Sequence, residues 1–412
     1  MQSFFSPEFF ARNRATLQTR IGDDIPIVIT GNGNMQRGGD EPSAFYQDSN
    51  FWYLTGLNGA DLVLVMDGGQ TYVIVPGMSA VREAFDGAHD VQTYAKRSGI
   101  AEFVPEQEGW QRLHEQLRRS KTVATPGSPP PYLKGYSLHM LPYRRRLIAR
   151  LKRMAPGLKL RDIRTDLAAM RSIKQPEELQ ALRRATDITG ETLRGIADRT
   201  LSGAKHEYVL EAALSYGFRS RGADGHAFAP IVGAGTHSTT LHYLANNGPV
   251  TEDDLIVLDV GAEVEHYSAD ITRTVSQVPI TGRKAAVWKA VAAAQDYAYS
   301  LVKPGALPRD YEQALEKFIG RELQKLGVIK DTSSEEIRHF FPHMTSHFLG
   351  LDTHDVGDYQ APWQAGMVIT VEPGIYLPEE GIGVRIEDDV LITETGCEIL
   401  SQSCPRELTT VQ

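Results

Sequence analysis

A chain of 412 residues with a net charge of −9 is long enough for two or three domains and too acidic for a broad nucleic-acid-binding surface. Its hydrophobic content of 41% and charged content of 23% are those of an ordinary globular protein, which argues against a disordered chain. The chain has only two cysteines, Cys397 and Cys404, so its fold does not depend on a disulfide framework, as is usual in a reducing compartment.

The N-terminal sequence MQSFFSPEFFARNRATL contains acidic and basic residues and no long apolar run, so it is unlike a secretory signal. No other apolar run approaches the length needed to cross a membrane. We therefore expect a cytoplasmic protein without a membrane partner. From Arg144 to Arg153, arginines alternate with leucine and isoleucine, which predicts a solvated amphipathic helix rather than a nucleic-acid-binding site.

The first part of the chain predicts a mixed α/β domain. Short runs rich in β-branched residues, bounded by Gly, Asp or Pro, predict strands at 25–30, 61–66 and 71–76. Apolar residues at helical spacing predict a helix at 107–119. We place the end of this domain at residue 160.

The second domain, residues 161–412, begins with a long helix. Pro176 and the two glutamates that follow it suit a first helical turn, where proline costs no hydrogen bond and acids complement the helix dipole. Further helices are predicted at about 283–301 and 309–326, and the remainder alternates strands and turns. Helices separated from a run of strands indicate an α+β domain.

The second domain also contains five side chains of types that bind metals: Asp259, Asp270, His347, Glu372 and Glu387. Two carboxylates about 4 Å apart repel by roughly 4 kcal/mol at an effective dielectric constant near 20. Four carboxylates in one place would therefore stay partly protonated without a counter-charge. Two divalent cations would make such a site nearly neutral, so this set predicts a dinuclear metal centre.

The positions of the carboxylates fit one site. Asp259 ends the apolar run 255–258, where a lone aspartate would more often be a turn residue. Asp270 follows after a span that suits an antiparallel hairpin, and it would share one strand face with Thr272 and Thr274. Glu372 also follows an apolar strand.

Other polar residues of the second domain also have interpretations that do not involve metal binding. Arg385 and Glu387 share one face of a predicted strand, and as a pair they suit a salt bridge. His343 and His347 are four residues apart, but they lack the glutamate of a zinc-protease helix motif. Taken alone, histidines such as His354 would more often be structural or exposed residues.

The segments LDVGAEVEHYSADITRT, SHFLGLDTHDVG, TVEPGIY and GVRIEDD together resemble the aminopeptidase P and prolidase family. QDSNFWYLTG and MRSIKQPEELQALRRA extend the resemblance over nearly the whole chain. The resemblance implies an α+β protein, in which a pita-bread catalytic domain is preceded by a smaller mixed α/β N-terminal domain.

The resemblance also implies a role for each potential ligand. Asp259 and Asp270 would bind one ion, His347 and Glu372 the other, and Asp270 and Glu387 would bridge the two. A hydroxide shared by the ions would attack the peptide carbonyl.

Further residues of the site match the family's substrate side. Glu372 would also carry the proton. His242 and His354 would stabilise the oxyanion and assist the leaving nitrogen. His343 and Arg385 match residues of the substrate pocket.

The substrates implied by the resemblance are peptides with proline in second position, whose Xaa-Pro bond has no N–H. Hard oxygen ligands with one imidazole and no thiolate favour Mn²⁺, with Zn²⁺ or Co²⁺ as alternatives. A homodimer or homotetramer is also expected, with proline-containing peptides as partners and no nucleic acid.

Two departures from the family pattern and one short loop bear on specificity. Phe85 stands where aminopeptidase P has a tryptophan, and Phe228 where it has a tyrosine. The short segment IYLPEEGIG favours an open site that accepts long peptides. The alternatives are a prolidase restricted to Xaa-Pro dipeptides and, in another class, a non-catalytic peptide-binding module on the same fold, which would lack several of these ligands.

Overall fold

The computed structural model describes residues 3–128, 133 and 138–412. These residues form two compact units, 5–170 and 171–412, and residues 3 and 4 belong to the second unit. The predicted boundary after residue 160 falls inside a strand, Lys159–Asp162, which pairs with Thr122–Thr125 of the N-terminal sheet. That pairing holds the segment in the first unit, so the division falls after Met170 instead.

Helices and strands alternate along the first unit. In chain order they are α1 (Pro7–Ile21), β1 (Ile27–Thr30), β2 (Gln36–Gly38), β3 (Glu41–Pro42), α2 (Ser49–Thr55), β4 (Val63–Asp67), β5 (Gln70–Val75), α3 (Ala80–Asp86), α4 (Val91–Ser98), β6 (Glu102–Pro105), α5 (Glu106–Arg119), β7 (Thr122–Thr125), α6 (Tyr143–Met154), β8 (Lys159–Asp162) and α7 (Arg164–Ser172).

The first unit is built on one mixed sheet with the strand order β6-β5-β4-β1-β7-β8. The central pairs β1–β4 and β4–β5 are antiparallel, and the outer pairs are parallel. The predicted strands correspond to β1, β4 and β5, and the predicted helix at 107–119 corresponds to α5. The arginine-rich segment forms the amphipathic helix α6, which buries Tyr143, Leu147 and Leu151.

The second unit contains longer helices and several small antiparallel sheets. Its elements are α8 (Pro176–Arg199), α9 (Glu207–Ser220), β9 (Gly225–His226), β10 (Ile231–Ala234), β11 (Ile256–Val260), β12 (Ala262–Val264), β13 (Tyr267–Ser268), β14 (Ile271–Val275), α10 (Gly282–Leu301), α11 (Pro308–Lys325), α12 (Ser334–Phe340), β15 (Val368–Val371), β16 (Gly374–Leu377), β17 (Ile382–Arg385), β18 (Asp388–Ile392) and β19 (Cys397–Ile399).

Helix α8 begins at Pro176, as predicted. The preceding Gln175 and the N3 residue Glu178 form a reciprocal capping box, which satisfies backbone donors that a helix start leaves unpaired. The predicted helices at 283–301 and 309–326 correspond to α10 and α11. The α+β organisation is thus confirmed.

Two hydrophobic cores hold the strands of the second unit. One lies between helices α8 and α9 and strands β10 to β14, and the other between α10 and α11 and strands β15 to β18. The pairs β10–β11, β11–β14 and β15–β18 are all antiparallel. This arrangement brings the ends of separate strand pairs toward the same place. Of the helices described, none combines the length and apolar character that crossing a bilayer requires.

Candidate metal centre

Three of the predicted ligands converge closely. Ligand atoms of Asp270, His347 and Glu387 all lie within 4.8 Å of one another. Asp270 immediately precedes β14, Glu387 lies between β17 and β18, and His347 lies in the segment between α12 and β15. Three segments distant in sequence therefore supply one cluster, which is nearly enclosed because Asp270 and Glu387 are 5% and 2% exposed.

The hydrogen bonds of His347 determine which ring nitrogen faces the carboxylates. Its Nδ1 lies 3.0 Å from the carbonyl oxygen of Phe348, which can only accept, so Nδ1 carries the proton. In the neutral ring the lone pair is then on Nε2. That atom is 3.4 Å from Oδ2 of Asp270 and 3.6 Å from Oε1 of Glu372. A backbone-oriented imidazole of this kind is the usual form of a metal-binding histidine.

Asp259 lies on β11 beside this cluster and pairs with Thr272 of the neighbouring strand β14. Its Oδ2 accepts a 2.6 Å hydrogen bond from Nη2 of Arg385. Its Oδ1 is buried and has no hydrogen-bond partner. A buried carboxylate oxygen without a partner is costly, so an additional positive group is expected there.

The acidic residues are crowded and poorly solvated. Burial, followed by repulsion from Asp259, raises the pKa of Asp270 well above its usual range. Burial and the proximity of Asp270 do the same to the pKa of Glu387. Burial raises the pKa of Glu372 to about 7. Without cations these carboxyl groups would hold protons near neutral pH, which is the expected response to uncompensated charge.

The donor set therefore fits divalent metal ions. Oxygen atoms of Asp270 and Glu387, the unpartnered Oδ1 of Asp259 and the lone pair of His347 would supply the coordination that such ions need. Glu372, whose Oε1 lies near His347 Nε2, is placed to add another oxygen. All five predicted ligands thus lie in or directly beside the cluster.

A chain of hydrogen bonds runs from Asp259 away from the cluster. Arg385 donates through Nη1 to the hydroxyl oxygen of Tyr376 at 2.8 Å, and that hydroxyl contacts Nε2 of His343 at 2.9 Å. Nδ1 of His343 lies 2.7 Å from the carbonyl oxygen of Met344, so it carries the proton and Nε2 accepts from Tyr376. Burial, with the Arg385 charge second, lowers the pKa of His343 to about 3, so the ring is neutral.

The other two predicted histidines, His354 and His242, also lie near the cluster. The ring of His354 packs edge-on against His347, with ring centroids 4.4 Å apart. Burial lowers the pKa of His354 to about 4, so it too is neutral at physiological pH. His242 is exposed, and its charge contributes to lowering the pKa of both His343 and His354. The predicted substrate-side residues are therefore grouped around the cluster.

The sequence did not predict that Tyr376 and Asp389 orient the ligands. For a third such residue, Thr272, it predicted the strand face but not the contact. Tyr376 links Arg385 to His343, and its position two residues into β16 was the sole sequence signal. Asp389 accepts from the backbone N–H of Asp270 at 3.2 Å. Thr272, predicted only to share a face with Asp270, donates to Oε2 of Glu387 at 2.6 Å.

Comparison with known proteins agrees with this geometry. Residues 180–394 match the family model of metallopeptidase family M24, and residues 10–124 match that of the aminopeptidase P N-terminal domain. The two matches fall on the second and first structural units, respectively.

Similar proteins match over almost the whole chain. Xaa-Pro aminopeptidase 3 of Mus musculus is 32% identical, over 96% of this chain and 81% of its own. Xaa-Pro aminopeptidase of Escherichia coli is 31% identical, over 97% and 96%. Among solved structures, a putative aminopeptidase P from Bacillus anthracis superposes with a TM-score of 0.89 at 27% identity, covering 98% of this chain and 97% of that chain. The low-pH form of E. coli aminopeptidase P gives a TM-score of 0.88 at 28% identity, with the same coverage.

The fold and the acid-rich centre define a metallopeptidase with the pita-bread fold. The chain belongs to metallopeptidase family M24, and within it to the aminopeptidase P family. The α+β architecture with a pita-bread catalytic domain and a smaller N-terminal domain is thereby confirmed, as is dependence on divalent metal ions.

Proposed function

We propose that this protein is a metal-dependent Xaa-Pro aminopeptidase, which removes the first residue from peptides with proline in second position. The observation that carries the proposal is the convergence of Asp270, His347 and Glu387 within 4.8 Å, in a chain of the aminopeptidase P family. Relatives named Xaa-Pro aminopeptidase cover nearly the whole chain, which supports the same specificity here.

The proposed cofactor is a pair of divalent ions, with Mn²⁺ as the preferred metal. Support comes from the chemistry of the donors, which are carboxylate oxygens and one imidazole with no thiolate. A zinc-substituted E. coli aminopeptidase P has been described in complex with product, so zinc is the alternative to test. When bound, the ions supply the Lewis acidity that activates water and polarises the scissile carbonyl.

Residues around the metal centre are proposed to transfer protons and to orient the ligands. Glu372 is proposed as the proton carrier, and its place beside the cluster supports this role, because its Oε1 lies 3.6 Å from Nε2 of His347. Arg385 and Tyr376 hold Asp259 and His343 in place.

His354 and His242 are proposed to contact the substrate. A neutral imidazole such as that of His354 donates hydrogen bonds without adding charge, which suits stabilisation of an oxyanion and of the leaving proline nitrogen. The low pKa of His354 supports the neutral form. His343, with its Nε2 held by Tyr376, is proposed to line the pocket with Arg385.

The test of this function is peptide hydrolysis by enzyme that has been stripped of metal and reloaded with Mn²⁺. Ala-Pro, Ala-Pro-Ala and a longer Xaa-Pro peptide are compared with Ala-Ala-Ala, which lacks the proline. We expect cleavage of the two longer Xaa-Pro substrates at the first bond. The Asp270→Ala protein, purified in parallel, controls for a contaminating peptidase.

The remaining results would identify the alternatives. Cleavage of Ala-Pro alone would make the protein a prolidase. Absence of any cleavage, with retained binding of Xaa-Pro peptides, would make it a non-catalytic binding module.

We further propose a homodimer or homotetramer in the cytoplasm. Helix α3 buries none of its residues, and Phe85 on it is 85% exposed, which supports contact with a second copy of the chain. Both cysteines are free, which supports a reducing compartment. Sedimentation equilibrium of wild-type and Phe85→Ser proteins tests the assembly, and a wild-type monomer would contradict it.

A further inference from the structure

The buried residue Glu207 is separate from the metal cluster. It is the first residue of helix α9, and its side chain is fully buried. Within the described part of the chain, neither lysine nor arginine is among its hydrogen-bond partners, so neutral donors and His237 stabilise its carboxylate. A buried carboxylate that accepts several hydrogen bonds acts as a strong anchor for the groups that donate them.

Four donors converge on the two oxygens of Glu207. The backbone N–H of Ala234 and Nδ1 of His237 each lie 2.9 Å from Oε1. The hydroxyl of Tyr243 and the backbone N–H of Gly248 lie 2.8 Å and 2.6 Å from Oε2. Because a carboxylate only accepts, His237 holds its proton on Nδ1.

All four donors belong to one segment, residues 234–248, which we name the histidine loop. Ala234 is at its start, His237 and Tyr243 are inside it, and Gly248 is at its end. The Glu207 side chain therefore binds both ends and the middle of the histidine loop. The rings of His237 and Tyr243 also stack, with centroids 4.3 Å apart.

The backbone around Glu207 closes the same loop. The N–H of Glu207 donates to the carbonyl of Gly248 at 3.0 Å, and Val250 N–H donates to Lys205 at 2.9 Å. At Gly248 a Cβ would come within 2.5 Å of the His237 ring and 3.0 Å of Glu207 Oε2. Only glycine allows this close approach, so the packing is specific to the anchored arrangement.

His242 lies in the histidine loop, immediately before Tyr243. After Thr239 the loop has no helix or strand, and His242 is exposed. The position of its ring therefore depends on how firmly the loop is held. A displacement of about 1 Å at a catalytic group can lower a rate by about 100-fold.

We propose that Glu207 is a positioning residue that holds the histidine loop in place and thereby sets the position of His242 against the scissile bond. This inference rests on the proposed function, because His242 has a role only if the protein cleaves peptides. Glu207 does not touch the substrate. It acts by fastening the loop through its four hydrogen bonds.

The test is a double-mutant cycle with Glu207→Gln and His242→Ala in the Mn²⁺-loaded enzyme, measured on Ala-Pro-Ala. Glutamine keeps the shape but places an N–H₂ group against backbone donors. We expect Glu207→Gln to lower kcat about tenfold or more with metal content unchanged. In the His242→Ala background the same change should have almost no further effect, because the group it positions is gone.

Glu211→Gln is the matched control, since it makes the same change one turn along α9. Among the described residues, Glu211 accepts one 3.3 Å hydrogen bond, from Asn246 of the histidine loop; because this bond is longer than each of the four bonds to Glu207, we expect near wild-type kcat. Equal losses from Glu207→Gln with and without His242 would overturn the proposal, because they would indicate a general structural defect. Wild-type activity of Glu207→Gln would also overturn it.

Two further measurements keep the proposal testable. If Glu207→Gln does not fold, Tyr243→Phe removes one donor without touching the carboxylate. A smaller loss of kcat that disappears with His242→Ala supports the proposal, and no loss overturns it. If the wild-type protein cleaves no Xaa-Pro peptide, the proposed function fails by itself. Hydrogen exchange at Ala234 and Gly248, faster in Glu207→Gln than in Glu211→Gln, then tests the anchoring, and equal rates would overturn it.

Discussion

The unpartnered Oδ1 of Asp259 shows how a single atom reveals what a site requires. Its other oxygen is held by Arg385, and the cluster beside it contains two further carboxylates, Asp270 and Glu387, with one imidazole. An arginine on one side does not compensate four buried carboxylates. The remaining positive charge must come from metal ions. We therefore expect the site to lose bound metal when any one of the ligands is replaced.

Replacement of Asp270 by alanine tests whether the loss of one proposed ligand also removes bound metal. We expect loss of peptidase activity and a fall in bound metal, because this carboxylate is within reach of both His347 and Glu387. Metal content is measured by mass spectrometry beside activity at saturating Mn²⁺. Asp253→Ala, at a side chain that is 79% exposed, is the control. Near wild-type turnover of metal-replete Asp270→Ala would refute the assignment.

His354 should behave differently from the ligands. Its ring packs against His347, and we propose that it contacts the substrate and not the metal. We expect His354→Ala to bind its metals normally and to lose turnover by about 100-fold, the lower end of the range for an oxyanion donor. The discriminating measurement is again metal content, and metal loss in His354→Ala would mean that it is a ligand.

Residue types and spacing were enough to select five candidate ligands, which the structure groups together, but not the residues that orient them. Asp259 and Glu372 were candidates because each follows an apolar strand, and Asp270 because its distance from Asp259 suits an antiparallel hairpin. Tyr376 is an ordinary tyrosine in a strand, and its role appears only when β16 places its hydroxyl between Arg385 and His343. Such partners come from distant segments, so sequence spacing does not reveal them.

At the scale of elements, the hairpin from β11 to β14 is the frame of the site. Its register places Asp259 opposite Thr272, and Gly261 lies where β11 turns into β12. A Cβ at Gly261 would lie 1.7 Å from the carbonyl oxygen of Ala269, a backbone atom next to the ligand Asp270. The backbone there has no room to yield without moving that ligand.

Gly261→Ala should therefore both destabilise the protein and weaken metal binding. Overpacking of this kind costs about 1–3 kcal/mol, and the shift of Asp270 adds loss of metal affinity. Thermal unfolding and Mn²⁺ titration are measured together. Gly203→Ala, where a Cβ would meet nothing within 4 Å, is the control. Unchanged metal affinity in Gly261→Ala would contradict the coupling of hairpin and site.

The elements themselves were predictable to different degrees. The start of α8 at Pro176 and the positions of α10 and α11 followed from capping residues and apolar periodicity, which are local properties. The boundary was placed at residue 160, before the structural division, because no strand was predicted at the position of β8. Its membership in the first sheet depends on pairing with β7, which is a tertiary contact.

At the scale of the whole molecule, two hydrophobic cores stabilise a centre that is itself unfavourable without metal. Helices α8 to α11 and the strands they cover bury enough apolar surface to tolerate a group of crowded acids. The stability of the whole protein should therefore depend on metal, and the size of that dependence should change with pH.

Removal of metal is expected to make stability fall as pH rises. In the metal-free protein burial raises the pKa of Asp270 and Glu387, and that of Glu372 to about 7, whereas in the unfolded chain such groups titrate near 4. Below pH 4 both states are protonated and nothing is lost. Between about pH 4 and pH 7 the unfolded chain releases protons that the folded state retains, so stability falls, for Glu372 by on the order of 3 kcal/mol.

Bound ions should cancel this loss, because they neutralise the deprotonated ligands and favour the folded state more strongly as pH rises. Thermal unfolding of chelated and Mn²⁺-loaded protein is compared at pH 5, 6, 7 and 8 at constant ionic strength. The difference in Tm between the Mn²⁺-loaded and the chelated protein should increase steadily with pH. Chelated Asp270→Ala protein, with one carboxylate fewer, should show a smaller fall. A gap in Tm that does not change with pH would mean that the buried acids are compensated by groups of the protein and not by metal.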